Sequence, residues 1–218
     1  MTVPDDVETF AATVGPERDA VLEEMDERAA ETGFPTVGPV VGGWLQQFAG
    51  LVDAERVFEF GSGFGYSAYW FARGLPADGE VVLTEVDEDE LDDAREYLER
   101  GGYADRARFE LGDAIETVDD YEAPVDVVLI DNEKDRYVEA FEAVREKVPV
   151  GGVVLADNMT AGPFDFEEIH RLVVEGGDSD DANATGVADY LARVGGDDDF
   201  VTTLLALGEG VAVSRRVS

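Results

Sequence analysis

The sequence predicts an α/β protein built on a doubly wound, mostly parallel sheet of seven strands. Strand-like apolar segments alternate with helix-like segments over most of the chain, and this alternation is typical of a parallel sheet with helices on both faces. The last two apolar segments, residues 200–207 and 210–215, are separated only by Gly208-Glu209. They predict a closing antiparallel hairpin.

Five strand segments precede the hairpin. Two of them, 125–131 (VDVVLID) and 152–157 (GVVLAD), are near-continuous apolar runs, as expected for strands buried on both faces. The other three predicted strands are 57–60, 80–85 and 106–111. Helices are predicted at 16–32, 37–53, 66–74, 88–100, 134–147 and 184–194, with a short one after the third strand and no clear pattern over 159–181. We expect a single domain over 1–218, in which 1–53 forms helices covering the site and 54–218 forms the core.

The charge balance is strongly acidic. The chain carries 51 acidic and 16 basic residues, for a formal charge of -35, while 44% of its residues are hydrophobic, which argues against disorder. Because the acids are spread along the chain, we expect the surface of a halophilic protein, whose self-repulsion is screened where molar salt shortens the Debye length to ~3 Å. The same charge opposes phosphate contacts, so no nucleic-acid partner is expected.

Other composition features narrow the class further. The chain has no cysteine, which excludes disulfides and thiolate metal sites. No stretch resembles a signal peptide or a membrane span. A cytoplasmic location without a membrane partner is therefore the expectation.

A glycine-rich turn follows the first strand. It reads Glu59-Phe60-Gly61-Ser62-Gly63-Phe64-Gly65-Tyr66-Ser67, and glycines let a backbone approach a ligand at a helix N-terminus. A dinucleotide fingerprint would place glycine where Tyr66 stands. The spacing G-x-G-x-G, with Glu59 two residues before the first glycine, fits S-adenosylmethionine better. A plain tight turn is the alternative.

Acidic residues after the next two strands complete the predicted cofactor site. Glu85 ends the second strand, where a carboxylate can accept both ribose hydroxyls. Asp113 follows the third strand and could bond the adenine amino group, cap the next helix, or do both. The full predicted cofactor set is Glu59, Gly61, Gly63, Gly65, Tyr66, Ser67, Glu85, Asp113, Ala114 and Asp131.

Three oxygen donors follow the fourth and fifth strands. Asp131 ends one, and Asp157 and Asn158 end the other. Ligands in open α/β sheets bind at these strand ends, and such donors suit a hard cation such as Mg²⁺. The alternative is that the acids only cap buried strands.

Lys134, one of two lysines in the chain, lies three residues after Asp131. It could accept a proton beside a metal or simply pair with acids. The only histidine, His170, is interpreted as a surface residue. The aromatic residues Tyr69, Trp70 and Phe71 are interpreted as core.

Several of these motifs resemble one family. The segments VFEFGSGFGYSA (57–68), LIDNEKDRY (129–137), VLADN (154–158) and PTVGPVVGG (35–43) are similar to those of the cation-dependent O-methyltransferases, the group of catechol and caffeoyl-CoA O-methyltransferases. The resemblance covers roughly 35–160 well and the hairpin loosely, and it implies the methyltransferase variant of the Rossmann fold. Asn132 departs from the family pattern, and 159–181 has no match, which leaves the acceptor open.

The resemblance also implies roles for individual residues. Asp131, Asp157 and Asn158 would hold Mg²⁺, Lys134 would be the catalytic base, and Glu59 with Glu85 would supply the cofactor carboxylates.

The expected function is S-adenosylmethionine-dependent, metal-assisted methyl transfer to a hydroxyl of a small catechol-like or vicinal-oxygen acceptor. A homodimer is possible. Two alternatives stay open. One is a non-catalytic S-adenosylmethionine-binding or regulatory protein. The other is a nucleic-acid methyltransferase, which the charge and the absence of an Asn/Asp-Pro-Pro-aromatic motif oppose.

Overall fold

The computed structural model describes residues 4–122 and 124–218. The strands are β1 (Arg56–Phe60), β2 (Glu80–Glu85), β3 (Ala107–Leu111), β4 (Val127–Ile130), β5 (Val153–Ala156), β6 (Phe200–Leu205) and β7 (Val211–Arg216). The α-helices are α1 (Asp5–Val14), α2 (Ala20–Thr32), α3 (Gly38–Leu51), α4 (Tyr66–Gly74), α5 (Glu88–Arg100), α6 (Ala114–Thr117), α7 (Tyr137–Val144), α8 (Phe166–His170) and α9 (Ala182–Gly195).

The seven strands form one sheet in the order β3-β2-β1-β4-β5-β7-β6. The strands from β3 to β5 run parallel, and β7 pairs antiparallel with both β5 and β6. The strand order reverses between β1 and β4, which is where open α/β sheets bind their ligands. The predicted sheet and its closing hairpin are therefore confirmed.

The strand register brings the predicted loops together. Phe60 pairs with Thr84 on one side and with Ile130 on the other, and Ile130 pairs in turn with Ala156. The residues that follow these four therefore start side by side at the carboxyl edge of the sheet: Gly61, Glu85, Asp131 and Asp157.

Apolar side chains cover both faces of the sheet. On one face, α2 to α5 pack against residues such as Val57 and Leu129, and on the other, α6 to α9 pack against residues such as Phe58 and Ile130. The neighbouring residues Tyr69, Trp70 and Phe71 of α4 are all buried in the first layer, which confirms that they belong to the core.

Several boundaries differ from the predictions. Helix α1 was not predicted, although the apolar residues of DDVETFAATV follow helical spacing; the structure leaves Phe10 and Val14 exposed. The unpatterned segment contains α8, capped by the Asp165 side chain, and a π-helical turn over Arg171–Glu175. The helix predicted from 134 begins instead as a 3-10 turn over Lys134–Arg136.

Two further expectations can be compared with the fold. His170, at the end of α8, is exposed as predicted. In the described part of the chain, the helices are too short or too polar to cross a membrane.

Candidate active site

A cavity of about 840 Å³ opens at the carboxyl edge of the sheet, over the strand-order reversal. Most of the predicted site residues line it, and Glu59 and Gly65 are not among the described lining residues. The predicted residues that line the cavity are Gly61, Gly63, Tyr66, Ser67, Glu85, Asp113, Ala114, Asp131, Lys134, Asp157 and Asn158.

The glycine-rich turn is shaped by contacts with the protein itself. Each of its three glycines has a left-handed backbone, with φ of 81°, 48° and 83° for Gly61, Gly63 and Gly65. A Cβ atom at Gly61 would lie 2.9 Å from the Asp131 carbonyl oxygen. At the other two positions it would lie 2.6 Å from the Phe34 ring and 2.8 Å from the Ala94 Cβ, respectively. The left-handed backbone and these close contacts together favour glycine at all three positions, most strongly at Gly61, where the obstacle is backbone.

Glu59 lies inside β1 and is fully buried. Neither carboxylate oxygen has a hydrogen-bond partner within residues 4–122 and 124–218. Burial, opposed by the nearby Ser67 hydroxyl and reinforced by the negative charge of Asp131, raises the pKa of Glu59 to about 8. A buried carboxyl group without a partner is costly in a folded protein, so this group is suited to a cationic partner that arrives with a ligand.

Glu85 is held by the backbone of two loops. One carboxylate oxygen accepts the N–H of Gly63 at 2.8 Å, and the other accepts the N–H groups of Val86 at 2.8 Å and Asp87 at 3.1 Å. The side chain thus keeps one orientation at the cavity wall.

Asp113 does what the capping alternative predicted and also makes an ion pair. One oxygen accepts the Ile115 N–H at 2.8 Å at the start of α6. The other lies 2.7 Å from Nη1 of Arg136, and this guanidinium holds the pKa of Asp113 below its usual range. Arg136 itself lines the cavity.

The two residues that open α4 differ in their surroundings. The Tyr66 hydroxyl donates to Asp26 Oδ1 of α2 at 2.6 Å, which ties the N-terminal helices to the cavity wall. Ser67 is buried and lines the cavity directly.

Lys134 and Asp131 form an ion pair inside the cavity. Lys134 is only 8% exposed, and its Nζ donates to Asp131 Oδ1 and to the Asn132 carbonyl oxygen, both at 3.0 Å. The ammonium group also lies 5.0 Å from the centre of the Tyr137 ring. Because an ammonium has three N–H groups, one remains without a partner in the described part of the chain.

Asp157 lies beside this pair and is 3% exposed. Its Oδ1 is buried and has no hydrogen-bond partner among the described residues. Burial and the negative charge of Asp131 raise the pKa of Asp157 to about 8. The carboxylates of Asp131 and Asp157 thus lie close together, and the Lys134 ammonium group balances the negative charge of Asp131.

Asn158 has an unusual backbone and an acidic neighbour. Its φ of 62° is left-handed, a region that asparagine tolerates better than most residues. Its Nδ2 donates to Oε2 of Glu209, which comes from the turn between β6 and β7 and lines the same cavity.

The donor set can be tested for its fit to a cation. Within residues 4–122 and 124–218, no group of three or more His, Cys, Asp or Glu side chains forms a metal cluster. The predicted set, with two carboxylates and one amide, is smaller than such a cluster. The buried, unpartnered Asp157 oxygen and the convergence of two carboxylates nevertheless fit a hard cation, which prefers oxygen ligands.

The cavity-lining residues that were not predicted from the sequence include Phe34, Arg136 and Glu209. The sequence did contain a signal for Arg136, because this residue lies two positions after Lys134 in a chain with few basic residues. Phe34 and Glu209 reach the cavity only through tertiary packing, so no local pattern indicates them.

The fold and the site define a class. A parallel sheet closed by an antiparallel seventh strand, with a glycine-rich loop and acidic strand ends at the order reversal, is the arrangement of the methyltransferase variant of the Rossmann fold. A model of the O-methyltransferase family matches residues 12–217. The chain therefore belongs to that O-methyltransferase family.

Individual relatives agree with this assignment. The chain is 32% identical to a catechol O-methyltransferase of Mycobacterium tuberculosis over 197 residues, which cover 88% of this chain and 84% of the relative. It is 34% identical to a catechol O-methyltransferase of Niastella koreensis over 153 residues, covering 67% and 68% of the two chains. An O-methyltransferase from Bacillus cereus, solved in complex with SAH, superposes with a TM-score of 0.83 at 26% identity and covers 97% of both chains.

Proposed function

We propose that this protein transfers the methyl group of S-adenosylmethionine to a hydroxyl of a small acceptor with two neighbouring oxygens, aided by a divalent cation such as Mg²⁺. The observation that carries the proposal is the meeting of the glycine-rich loop with Asp131, Lys134 and Asp157 in a single cavity. The printed names of the catechol O-methyltransferase relatives support this class of acceptor.

The methyl donor would bind at the glycine-rich side of the cavity. Glu85, fixed by three backbone N–H groups, offers its remaining acceptor capacity to the ribose hydroxyls. We assign Glu59 to the positively charged amino group because its oxygens lack partners in the described chain, although its side chain is buried behind the residues that line the cavity. Asp113 and Ala114 line the cavity, and we assign the adenine to the part of the cavity beside them.

Asp131, Asp157 and Asn158 would hold the cation. A hard divalent cation at this position supplies Lewis-acid chemistry, lowering the pKa of a nearby hydroxyl and orienting the acceptor. The unpartnered carboxylate oxygen of Asp157 is a charged donor, and the amide oxygen of Asn158 is a neutral one. Mg²⁺ uses oxygen donors of both kinds.

Lys134 would act on the hydroxyl proton or on the charge that replaces it. Its remaining N–H group can face the acceptor oxygen while the other two stay bound to Asp131 and Asn132. In the transfer, the acceptor oxygen forms a bond to the methyl carbon, and the carbon–sulfur bond breaks with its electron pair left on sulfur. The hydroxyl proton leaves to solvent, or passes to the Lys134 amine once that amine has given up one of its own protons, giving a methyl ether and S-adenosylhomocysteine.

The test is methyl transfer from labelled S-adenosylmethionine to catechol in molar KCl, with Mg²⁺ or with a chelator. We expect transfer only with the metal. Asp157→Ala should abolish it and leave cofactor binding, measured by calorimetry, intact. Asp135→Ala, which removes an exposed acid from the cavity rim, should transfer normally.

Two results would contradict the proposal. Cofactor binding without transfer to any vicinal-oxygen acceptor would support the non-catalytic binding protein. Equal rates with metal and with chelator would remove the cation from the reaction.

A further inference from the structure

The turn between β6 and β7 brings one carboxylate into the cavity from a distant part of the chain. Glu209 lies between Gly208 and Gly210, both with left-handed backbones, at φ of 55° and 85°. A Cβ atom at Gly208 would lie 2.9 Å from Val41 of α3, and one at Gly210 would lie 2.7 Å from the Thr160 hydroxyl. The turn is therefore fitted closely between α3 and the segment that follows β5.

Backbone hydrogen bonds fasten that segment to the turn. Met159 donates to the Gly210 carbonyl at 2.9 Å, and Thr160 and Ala161 donate to the Glu209 carbonyl at 2.7 and 3.1 Å. These bonds begin immediately after Asn158, so they hold the chain on one side of the left-handed residue. The turn thus fixes where the Asn158 backbone lies.

The Glu209 side chain decides which way the Asn158 amide faces. An ionised carboxylate can only accept hydrogen bonds, whereas an amide has a donor end and an acceptor end. The amide NH₂ must therefore face Glu209, as it does here. The amide oxygen consequently points away from Glu209. A flipped amide would turn its oxygen toward the Glu209 carboxylate and leave that carboxylate without its amide donor.

We infer that Glu209 is a positioning residue that orients the Asn158 amide so that its oxygen, and not its nitrogen, is presented to the cation. This inference rests on the proposed function, because it assigns a partner to one of the proposed ligands. Residues that orient metal ligands commonly affect metal affinity by ~10–100-fold when they are replaced.

The test measures Mn²⁺ affinity directly, by calorimetry in molar KCl with saturating S-adenosylmethionine, so that it does not depend on turnover. Glu209→Gln should weaken Mn²⁺ binding by ~10–100-fold, because a glutamine can bond the amide in either orientation. Glu133→Gln is the matched control. It removes the same charge from an exposed cavity residue, and it should leave the affinity near that of the wild type.

A second variant separates orientation from folding. Combining Asn158→Asp with Glu209→Gln exchanges donor and acceptor, and the new amide can donate to the new carboxylate. This double variant should recover the Mn²⁺ affinity lost in Glu209→Gln. All variants should bind S-adenosylmethionine as the wild type does, which a merely unfolded hairpin would not allow.

Each outcome is decisive. An unchanged affinity in Glu209→Gln, or an equal loss in Glu133→Gln, overturns the positioning role and leaves the cation proposal standing. Failure of the double variant to recover binding also overturns it. A wild type that binds Mn²⁺ no better than Asp157→Ala overturns both the cation site and the role of Glu209.

Discussion

The Glu85 carboxylate accepts the backbone N–H of Gly63 at 2.8 Å, joining the end of β2 to the loop that follows β1. This contact gives the acid a structural task in addition to the ribose contact that we propose. A substitution of Glu85 should therefore also alter the conformation of the glycine-rich loop, and a change in that loop should alter the orientation of Glu85.

Glu85→Ala should weaken S-adenosylmethionine binding by tenfold or more, since hydrogen bonds to a charged group contribute ~1.5–3 kcal/mol each. It should also lower the melting temperature of the cofactor-free protein, because the Gly63 N–H loses its acceptor. Calorimetry and thermal unfolding measure the two effects. Glu88→Ala, at the exposed start of α5, is the control, and equal effects from both variants would refute the assignment.

Lys134→Ala should lower kcat by ~10²–10⁴-fold, the range for a lost acid–base group, and leave cofactor affinity unchanged. Lys134→Arg should not restore a proton-accepting role, because a guanidinium stays protonated. Rates of the alanine variant should rise with pH as more acceptor arrives ionised. Lys147→Ala is the control, since that lysine bonds the Tyr121 carbonyl. Wild-type turnover by Lys134→Ala would make this residue structural.

Glu59→Gln should have opposite effects on stability and on binding. The pKa of Glu59 is raised to about 8 by burial, so the folded state holds a proton that the unfolded state releases near pH ~4.3. Stability should therefore fall as the pH rises from about 4.3 to 8. The glutamine variant should lack this component of the decline while binding S-adenosylmethionine more weakly. Parallel pH–stability curves for variant and wild type would contradict the prediction.

Removing salt should destabilise the protein. Its formal charge is -35, and the Debye length grows from ~3 Å in molar salt to ~30 Å at 0.01 M, which lets like charges repel across the whole surface. Melting temperatures in 3 M and 0.05 M KCl measure the effect. Equal values would reject the halophilic interpretation.

Much of the fold could be predicted because its signals are local. The apolar runs that form β4 and β5 are so continuous that they predict buried strands. The Gly208-Glu209 break between two apolar segments predicts the hairpin of β6 and β7. Helix α1 escaped prediction although its apolar residues follow helical spacing. Val7, Phe10 and Val14 remain exposed, and the position of the helix follows from its packing along α3.

The candidate site could be predicted only where it lies at strand ends. Asp131 and Asp157 follow buried strands, and parallel pairing must bring such residues together. Glu209 could not be found in this way, because it is separated from Asn158 by 51 residues. Its approach depends on the register of β7 against β5, which no short segment encodes. The contact between Arg136 and Asp113 likewise depends on two separate strand–helix connections.

The glycine-rich loop has a consequence for how such motifs are interpreted across relatives. Each of the three glycines combines a left-handed backbone with a close approach to a different neighbour: the Asp131 carbonyl, the Phe34 ring and Ala94. A descendant that had abandoned catalysis would still be under selection to keep all three, simply to fold. The motif is therefore a marker of shared architecture, and evidence of retained chemistry has to come from residues that the scaffold does not need.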